Sequence, residues 1–204
     1  MISKLIAWLA GYIILAISTL GYGGVVLLMA IESACIPLPS EIIMPFSGYL
    51  VFKGELDLFW VAFAGAAGCV VGSVPAYYLG AIGGRPLIEK YGHWVLISRA
   101  DLDLADRLFT RYGQIVILAA RMLPVVRTFI AFPAGVARMP MPRFLAYTFV
   151  GSFPFCLFLA WVGARLGENW NTLGPYFHQA DVFIVLAGAA GAAWWIRRHL
   201  RNRV

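Results

Sequence analysis

Two short stretches place charged side chains and prolines inside strongly apolar sequence. The first, ESACIPLPSE, carries Glu32 and Glu41, and the second, RMLPVVR, carries Arg121 and Arg127. Arginine stays charged in proteins and binds carboxylate or phosphate through two parallel hydrogen bonds. Burial raises the pKa of a carboxyl group and a nearby guanidinium lowers it, so a glutamate beside an arginine suits a proton switch. We therefore expect the arginines to bind an anionic substrate and the glutamates to couple this binding to protons.

The same four side chains have an alternative role as static ion pairs. In that interpretation, each arginine neutralises a glutamate and locks two segments together without contacting substrate. Ser40, beside Glu41, is a further candidate for the binding site, and its alternative role is to cap a helix. Neither alternative is excluded by the sequence.

Metal and cofactor chemistry is not expected. The three cysteines, Cys35, Cys69 and Cys156, are scattered in apolar sequence and lack CxxC or metal-ligand spacing, so they are interpreted as small buried apolar residues. No cluster of histidines or acids in the apolar segments provides a catalytic set. The sequence therefore predicts neither a metal site nor a cofactor nor an enzyme.

The composition predicts an integral membrane protein. Of the 204 residues, 61% are hydrophobic and 13% are charged, whereas soluble domains are about 45–50% apolar and about 25% charged. The net charge of +6 comes largely from short loops and the tail RRHLRNR. Basic residues so placed follow the positive-inside rule, and we expect no nucleic-acid partner.

Prolines indicate that the two charged stretches are not straight spanning helices. Proline removes a backbone donor and breaks the helical ladder, and a charge at the bilayer centre costs about 2.5–3.5 kcal/mol. Two limbs of about 10–12 residues would reach about 15–18 Å, half of the apolar core of about 30 Å. Such a re-entrant hairpin is allowed where protein or a wet cavity shields its turn. The residues expected to shape the two hairpins are Pro37, Pro39, Pro124, Pro133 and Gly135.

These elements make one all-α membrane domain over residues 1–204, with four spanning helices and two re-entrant hairpins. The expected segments are a first spanning helix (1–29), a hairpin with a spanning helix (30–82), a cytoplasmic linker with an interfacial amphipathic helix (83–113), a second hairpin with a spanning helix (114–165), and a last spanning helix with a basic tail (166–204). The distribution of basic residues places both termini in the cytoplasm.

The two hairpin units resemble each other. GSVP, Gly72 to Pro75, follows the first hairpin, and GSFP, Gly151 to Pro154, follows the second. The charge rule gives the two units opposite orientations in the membrane. Inverted repeats around broken helices are typical of secondary transporters whose site lies near the midplane. We therefore expect the hairpin tips to meet there, which would bring the glutamates to the arginines.

At these residues the chain resembles the DedA family, the bacterial members of the VTT-domain superfamily. The pattern E-S-x-x-x-P-x-P-S-E from Glu32 to Glu41 is similar to the first family motif, and RMLPVVR followed by AGVARM is similar to the second. The likeness covers roughly residues 25–165. Under this resemblance the functional acids and arginines are Glu32, Glu41, Arg121 and Arg127. Some members carry an Asp in P-G-D where this chain has Glu41 in P-S-E, which leaves the lipid open.

The resemblance implies two opposed re-entrant hairpins and movement of lipids across the bacterial inner membrane. Family members include undecaprenyl phosphate flippases, proteins linked to phosphatidylethanolamine and eukaryotic scramblases, and some depend on the proton gradient. The expected function is a proton-linked flippase for undecaprenyl phosphate. The alternatives are a phosphatidylethanolamine flippase or energy-independent scramblase, and a proton-coupled small-ion antiporter. The expected partners are a phospholipid or polyprenyl phosphate and protons, and a homo-oligomer remains open.

Overall fold

The described part of the chain is helical. The computed structural model describes residues 2–34, 36, 38–95, 107, 115–123 and 126–167, and for side chains 11–34, 36, 38–83, 107, 115–123 and 126–167. Its helices are α1 (Ile2–Leu20), α2 (Tyr22–Ser33), α3 (Ser40–Phe52), α4 (Leu58–Val95), α5 (Ile115–Arg121), α6 (Val126–Phe129), α7 (Ala131–Val136) and α8 (Met141–Arg165). The described residues contain no β-strand, so the predicted all-helical class is confirmed for them. The chain divides into two units, Met1–Arg165 and Leu166–Val204, and these helices belong to the first.

The N-terminal apolar run forms two helices where one spanning helix over 1–29 was expected. The break is at Gly21, whose φ of 55° lies in the left-handed region that a residue without Cβ adopts readily. The second helix, α2, begins with Tyr22, whose hydroxyl oxygen accepts a hydrogen bond of 2.8 Å from the Asp57 backbone N–H. The first limb before the charged stretch therefore starts at Tyr22, eight residues earlier than the expected start at residue 30.

Helices α2 and α3 are two short limbs on either side of the proline-rich stretch. They have 12 and 13 residues, which at 1.5 Å per residue makes each about 18–20 Å long. Pro39 is the N-cap of α3, and its carbonyl accepts hydrogen bonds from the N–H groups of Ile42 and Ile43 at 2.9 and 3.2 Å. Ser40 is the first residue inside α3, so the alternative prediction that it caps this helix is wrong. Pro37 lies outside the described residues.

Three short helices are described at and around the second charged stretch. Helices α5, α6 and α7 have 7, 4 and 6 residues. Pro133 is the third residue of α7 and therefore lies in the first turn, where a helix needs no backbone N–H donor. Gly135 follows in the same helix, and Pro124 lies outside the described residues.

Helices α4 and α8 are long. Within the described residues two stretches, Leu58–Gly83 and Met141–Arg165, are long and apolar enough to cross a membrane. Helix α4 continues to Val95, beyond residue 82 where the spanning helix was expected to end, so the first part of the expected linker is helix. The rest of that linker, apart from Arg107, and the expected last spanning helix lie outside the described residues.

Helices α3 and α8 cross with their backbones in contact. A Cβ on Gly48 would collide with the Ala160 carbonyl, and a Cβ on Gly163 would collide with the Pro45 carbonyl. Each contacted carbonyl therefore lies three residues before the glycine of its own helix. Small residues of this kind allow close helix packing.

Helices α4 and α7 repeat this crossing in the same register. A Cβ on Gly135 would collide with the Tyr77 carbonyl, and a Cβ on Gly80 would collide with the Phe132 carbonyl. Again each contacted carbonyl lies three residues before the glycine of its own helix. Helix α3, after the first charged stretch, thus packs on the long helix α8 that follows the second stretch. Helix α7, after the second charged stretch, packs on the long helix α4 that follows the first.

The outer faces of the long helices are apolar. Their exposed large side chains include Phe59, Trp60, Phe63, Val71 and Leu79 on α4 and Val150, Phe158 and Trp161 on α8. A contiguous exposed apolar surface marks contact with a membrane or a partner protein. The buried polar side chains of these two helices are Ser73 on α4 and Thr148 and Ser152 on α8, within the residues whose side chains are described.

Candidate functional site

A buried ion pair joins the two charged stretches. Arg127 in α6 donates from Nη2 to Glu32 Oε2 in the last turn of α2, at 3.1 Å. The two side chains are 1% and 5% exposed. The predicted pairing of a glutamate with an arginine across the two stretches is confirmed for these two residues.

Arg127 is enclosed by side chains of both long helices. Its Nη2 also donates to Cys69 Sγ on α4 at 3.3 Å. Its guanidinium lies over the ring of Phe155 on α8, 4.4 Å from the centroid, at a distance where the aromatic face attracts a cation. Nη1 is buried and makes no hydrogen bond to any described residue. Nη2 of the guanidinium thus bonds to Glu32 and Cys69, whereas Nη1 has no hydrogen-bond acceptor among the described residues.

Arg121 lies at the end of α5 and is fully buried. Its Nη2 donates to Ser73 Oγ on α4 at 2.6 Å, and its Nη1 donates to the Arg127 backbone carbonyl at 3.0 Å. The Ser73 hydroxyl in turn donates to the Cys69 carbonyl at 2.5 Å. Arg121 therefore links the end of α5 to Arg127 in α6 and to Ser73 in α4, and it places a second positive charge beside Arg127.

Ser40 and Glu41 begin α3 next to this ion pair. The Ser40 hydroxyl donates to Glu41 Oε2 at 3.4 Å. Ser40 is buried and Glu41 is half-buried. Glu41 is near enough to interact electrostatically with Glu32 and Arg127. The structure therefore brings all five predicted substrate and proton residues to one place.

Three side chains of the long helices belong to this site although the sequence analysis assigned them no site role. They are Cys69, Ser73 and Phe155. Cys69 was interpreted as a small buried apolar residue, and its thiol is indeed buried, but it also accepts a hydrogen bond from Arg127. A signal for Ser73 was present in the repeated G-S-x-P pattern.

The described site combines two fixed positive charges with two carboxyl groups. If one carboxylate takes up a proton, the site gains a net positive charge and can accept an anion in its place. The arginines offer the planar donor geometry that suits phosphate. Within the described residues, no group of three or more His, Cys, Asp or Glu side chains is placed to hold a metal ion.

Comparison with known proteins relates this chain to a family of membrane proteins. The family model of the VTT domain matches residues 38–165. The chain is 37% identical to the uncharacterized membrane protein YkoX of Bacillus subtilis, with 80% of this chain and 72% of the relative covered. It is 33% identical to undecaprenyl phosphate transporter A of Bacillus subtilis, with 86% and 85% covered. It is also 31% identical to an alkaline phosphatase-like protein of Lactococcus lactis, with 86% and 85% covered. No solved structure matches the chain at a significant level.

Proposed function

The chain belongs to the VTT-domain family, which includes the DedA proteins, and from this we propose that it is a transporter that moves undecaprenyl phosphate between the leaflets of the bacterial inner membrane. The observation that carries the proposal is the buried Arg127–Glu32 pair with Arg121 beside it. A relative named undecaprenyl phosphate transporter A matches most of both chains and supports this choice of substrate.

In the proposed architecture, α4 and α8 span the membrane, while α2–α3 and α5–α7 are re-entrant hairpins that enter from opposite sides. The limbs α2 and α3, at about 18–20 Å, are too short for an apolar core of about 30 Å. The two glycine crossings support an inverted repeat, since both have the same register. The hairpin tips then meet near the midplane, and both termini are cytoplasmic.

In the proposed binding step, a proton neutralises Glu32 and releases Arg127. A phosphate oxygen then takes the position of Glu32 Oε2 on Arg127 Nη2, while Arg121 adds positive charge. Ser40 contacts the head group, and Glu41 exchanges protons with the solvent. The prenyl chain stays in lipid along the exposed apolar faces of the long helices.

The test is transbilayer movement of labelled undecaprenyl phosphate in proteoliposomes, with and without an imposed pH gradient. Wild type is compared with Arg127→Gln and Glu41→Gln at matched incorporation. Arg165→Gln and Glu55→Gln serve as matched controls, because both side chains are exposed. We expect gradient-dependent transport in wild type and in the controls, at least a tenfold loss in Arg127→Gln, and loss of gradient dependence in Glu41→Gln.

Other outcomes of the same assay identify the alternatives. Equal movement of all lipids without regard to the gradient would indicate a scramblase, and preferred movement of phosphatidylethanolamine would indicate a flippase for that lipid. Proton flux that depends on a small cation and not on lipid would indicate an antiporter. Release of inorganic phosphate from undecaprenyl phosphate would indicate a phosphatase, the activity in the name of the Lactococcus lactis relative. Each of these results contradicts the proposal.

A further inference from the structure

Helix α8 carries two buried hydroxyl groups one helical turn apart. Thr148 and Ser152 are both 0% exposed. Neither Thr148 Oγ1 nor Ser152 Oγ has a hydrogen-bond partner among the described residues. A buried hydroxyl without a partner loses its bonds to water and gains none in return, so it needs a physical explanation.

These hydroxyl groups belong to the face of α8 that contacts the arginines. Gly151 lies against the Arg121 Cβ and the Leu118 backbone, and Phe155 lies under the Arg127 guanidinium. Residues three and four positions apart share one face of a helix. Thr148 and Ser152 therefore lie on the same face as Gly151 and Phe155.

The G-S-x-P repeat gives this pair a counterpart on α4. Aligning the two patterns matches Ser152 with Ser73, and the residues one turn earlier, Thr148 and Cys69, then match as well. On α4 both side chains accept hydrogen bonds from arginine, Ser73 from Arg121 and Cys69 from Arg127. On α8 the equivalent pair has no protein partner within the described residues. The pair on α4 thus bonds to the arginines, whereas the hydroxyl groups of the equivalent pair on α8 have no hydrogen-bond partner among the described residues.

We propose that Thr148 Oγ1, Ser152 Oγ and Arg127 Nη1 donate three further hydrogen bonds to a phosphate monoester that has taken the place of Glu32 on Nη2 of the same guanidinium. The three atoms share the same property, since each is buried and lacks a hydrogen-bond partner among the described residues. This assignment rests on the proposed function for the class of substrate and adds the residues that recognise its head group.

The donor set favours a phosphate monoester over a diester. A phosphate monoester has three non-ester oxygens, each of which accepts hydrogen bonds, and the site supplies two hydroxyl donors and a guanidinium N–H. A phosphodiester such as a phospholipid head group has only two such oxygens. A diester must share one of its two oxygens between two of these donors and carries one charge less than a fully ionised monoester, so the three donors fit a monoester better.

The experiment uses the full chain in nanodiscs and measures the Kd of a short-chain polyprenyl phosphate and of inorganic phosphate, together with the ligand-free melting temperature. The variants are Thr148→Val and Ser152→Ala, which remove one hydroxyl each. Ser47→Ala is the control, because Ser47 is also buried in a helix and its hydroxyl bonds to the Ile43 carbonyl at 2.8 Å. Arg127→Gln is measured in parallel.

We expect each hydroxyl variant to weaken polyprenyl phosphate binding by about tenfold, the value of one hydrogen bond to a charged group. The ligand-free melting temperature should stay unchanged or rise, because an unsatisfied polar group has been removed. Ser47→Ala should leave the Kd unchanged. Competition by inorganic phosphate would identify free phosphate as a ligand, and its failure to compete would identify the lipid head group; both results support the hydroxyl assignment.

Three results overturn the inference. If the hydroxyl variants bind as wild type does while Arg127→Gln does not, the hydroxyl groups have no role in recognition, and the proposed function stands. If Thr148→Val lowers the ligand-free melting temperature and leaves the Kd unchanged, its hydroxyl is structural. Failure of wild type to bind either phosphate compound refutes the proposed function itself, and this inference with it.

Discussion

The substitution Glu32→Gln tests the central ion pair most directly. It removes one charge and keeps the shape of the side chain, so it imitates a protonated Glu32. In the ligand-free protein, Arg127 loses the carboxylate that it contacts at 3.1 Å in an environment where it is 1% exposed. The substitution should therefore lower the free energy of unfolding, and an added phosphate ligand should restore much of the loss.

The expected magnitude follows from the geometry. At the observed 3.1 Å, two unit charges attract by about 5 kcal/mol at an effective dielectric constant of about 20. Removing one partner of a buried pair costs about 3–5 kcal/mol, whereas replacing both partners by neutral groups costs much less. We expect a loss of about 3–5 kcal/mol for Glu32→Gln and for Arg127→Met, and a clearly smaller loss for the double variant than the sum of the two.

The assay is reversible unfolding by denaturant in mixed micelles, with and without a short-chain polyprenyl phosphate. In wild type the phosphate must displace the Glu32 carboxylate, whereas in Glu32→Gln the carboxylate in direct contact with Arg127 has already been removed. The ligand should thus stabilise the variant more than wild type. Glu55→Gln, an exposed carboxyl, is the control and should change stability little.

Two results would refute this reasoning. Additive losses in the double variant would mean that the pair is not coupled in solution. Equal stabilisation of wild type and Glu32→Gln by the phosphate compound would mean that ligand and Glu32 do not compete for Arg127.

The remaining predictions concern the frame around the site. Gly135→Ala should lower the free energy of unfolding by about 1–3 kcal/mol, because its Cβ would meet the Tyr77 backbone carbonyl; Gly23→Ala, in open space, should change it little. Ser73→Ala should cost about 1–3 kcal/mol, because it leaves the buried guanidinium of Arg121 without its hydroxyl acceptor. Denaturant unfolding checks both predictions, and equal stability of Gly135→Ala and Gly23→Ala would contradict the first.

The charged part of the site could be predicted because its physical demands are severe. A glutamate and an arginine in apolar sequence need each other, so Glu32 and Arg127 were expected to meet although they are 95 positions apart. The prolines likewise indicated that the charged stretches are broken into short helices. A buried charge without a partner costs several kcal/mol, and few arrangements of the chain avoid this cost other than pairing the charges.

Neutral contributions to the site could not be predicted in the same way. Cys69 and Phe155 are ordinary core residues by type, and only the packing of α4 and α8 brings them to Arg127. The break at Gly21 was also missed as a helix boundary, because glycine costs only about 1 kcal/mol inside a helix and does not require a break. The continuation of α4 to Val95 was not predicted, because the polar and glycine-rich sequence after residue 82 indicated a loop.

The ion pair also sets a problem of timing during synthesis. Glu32 leaves the ribosome 95 residues before Arg127, which corresponds to about 5–20 s at a rate of about 5–20 residues per second. The glycine crossing of α3 is delayed in the same way, because its partner α8 is made later still. Throughout this interval a lone carboxylate would be costly in lipid, so the nascent segment of α2 and α3 must carry Glu32 as the neutral acid or wait at the membrane surface. Completion of the core is therefore an event of the second half of translation, when the arginine arrives.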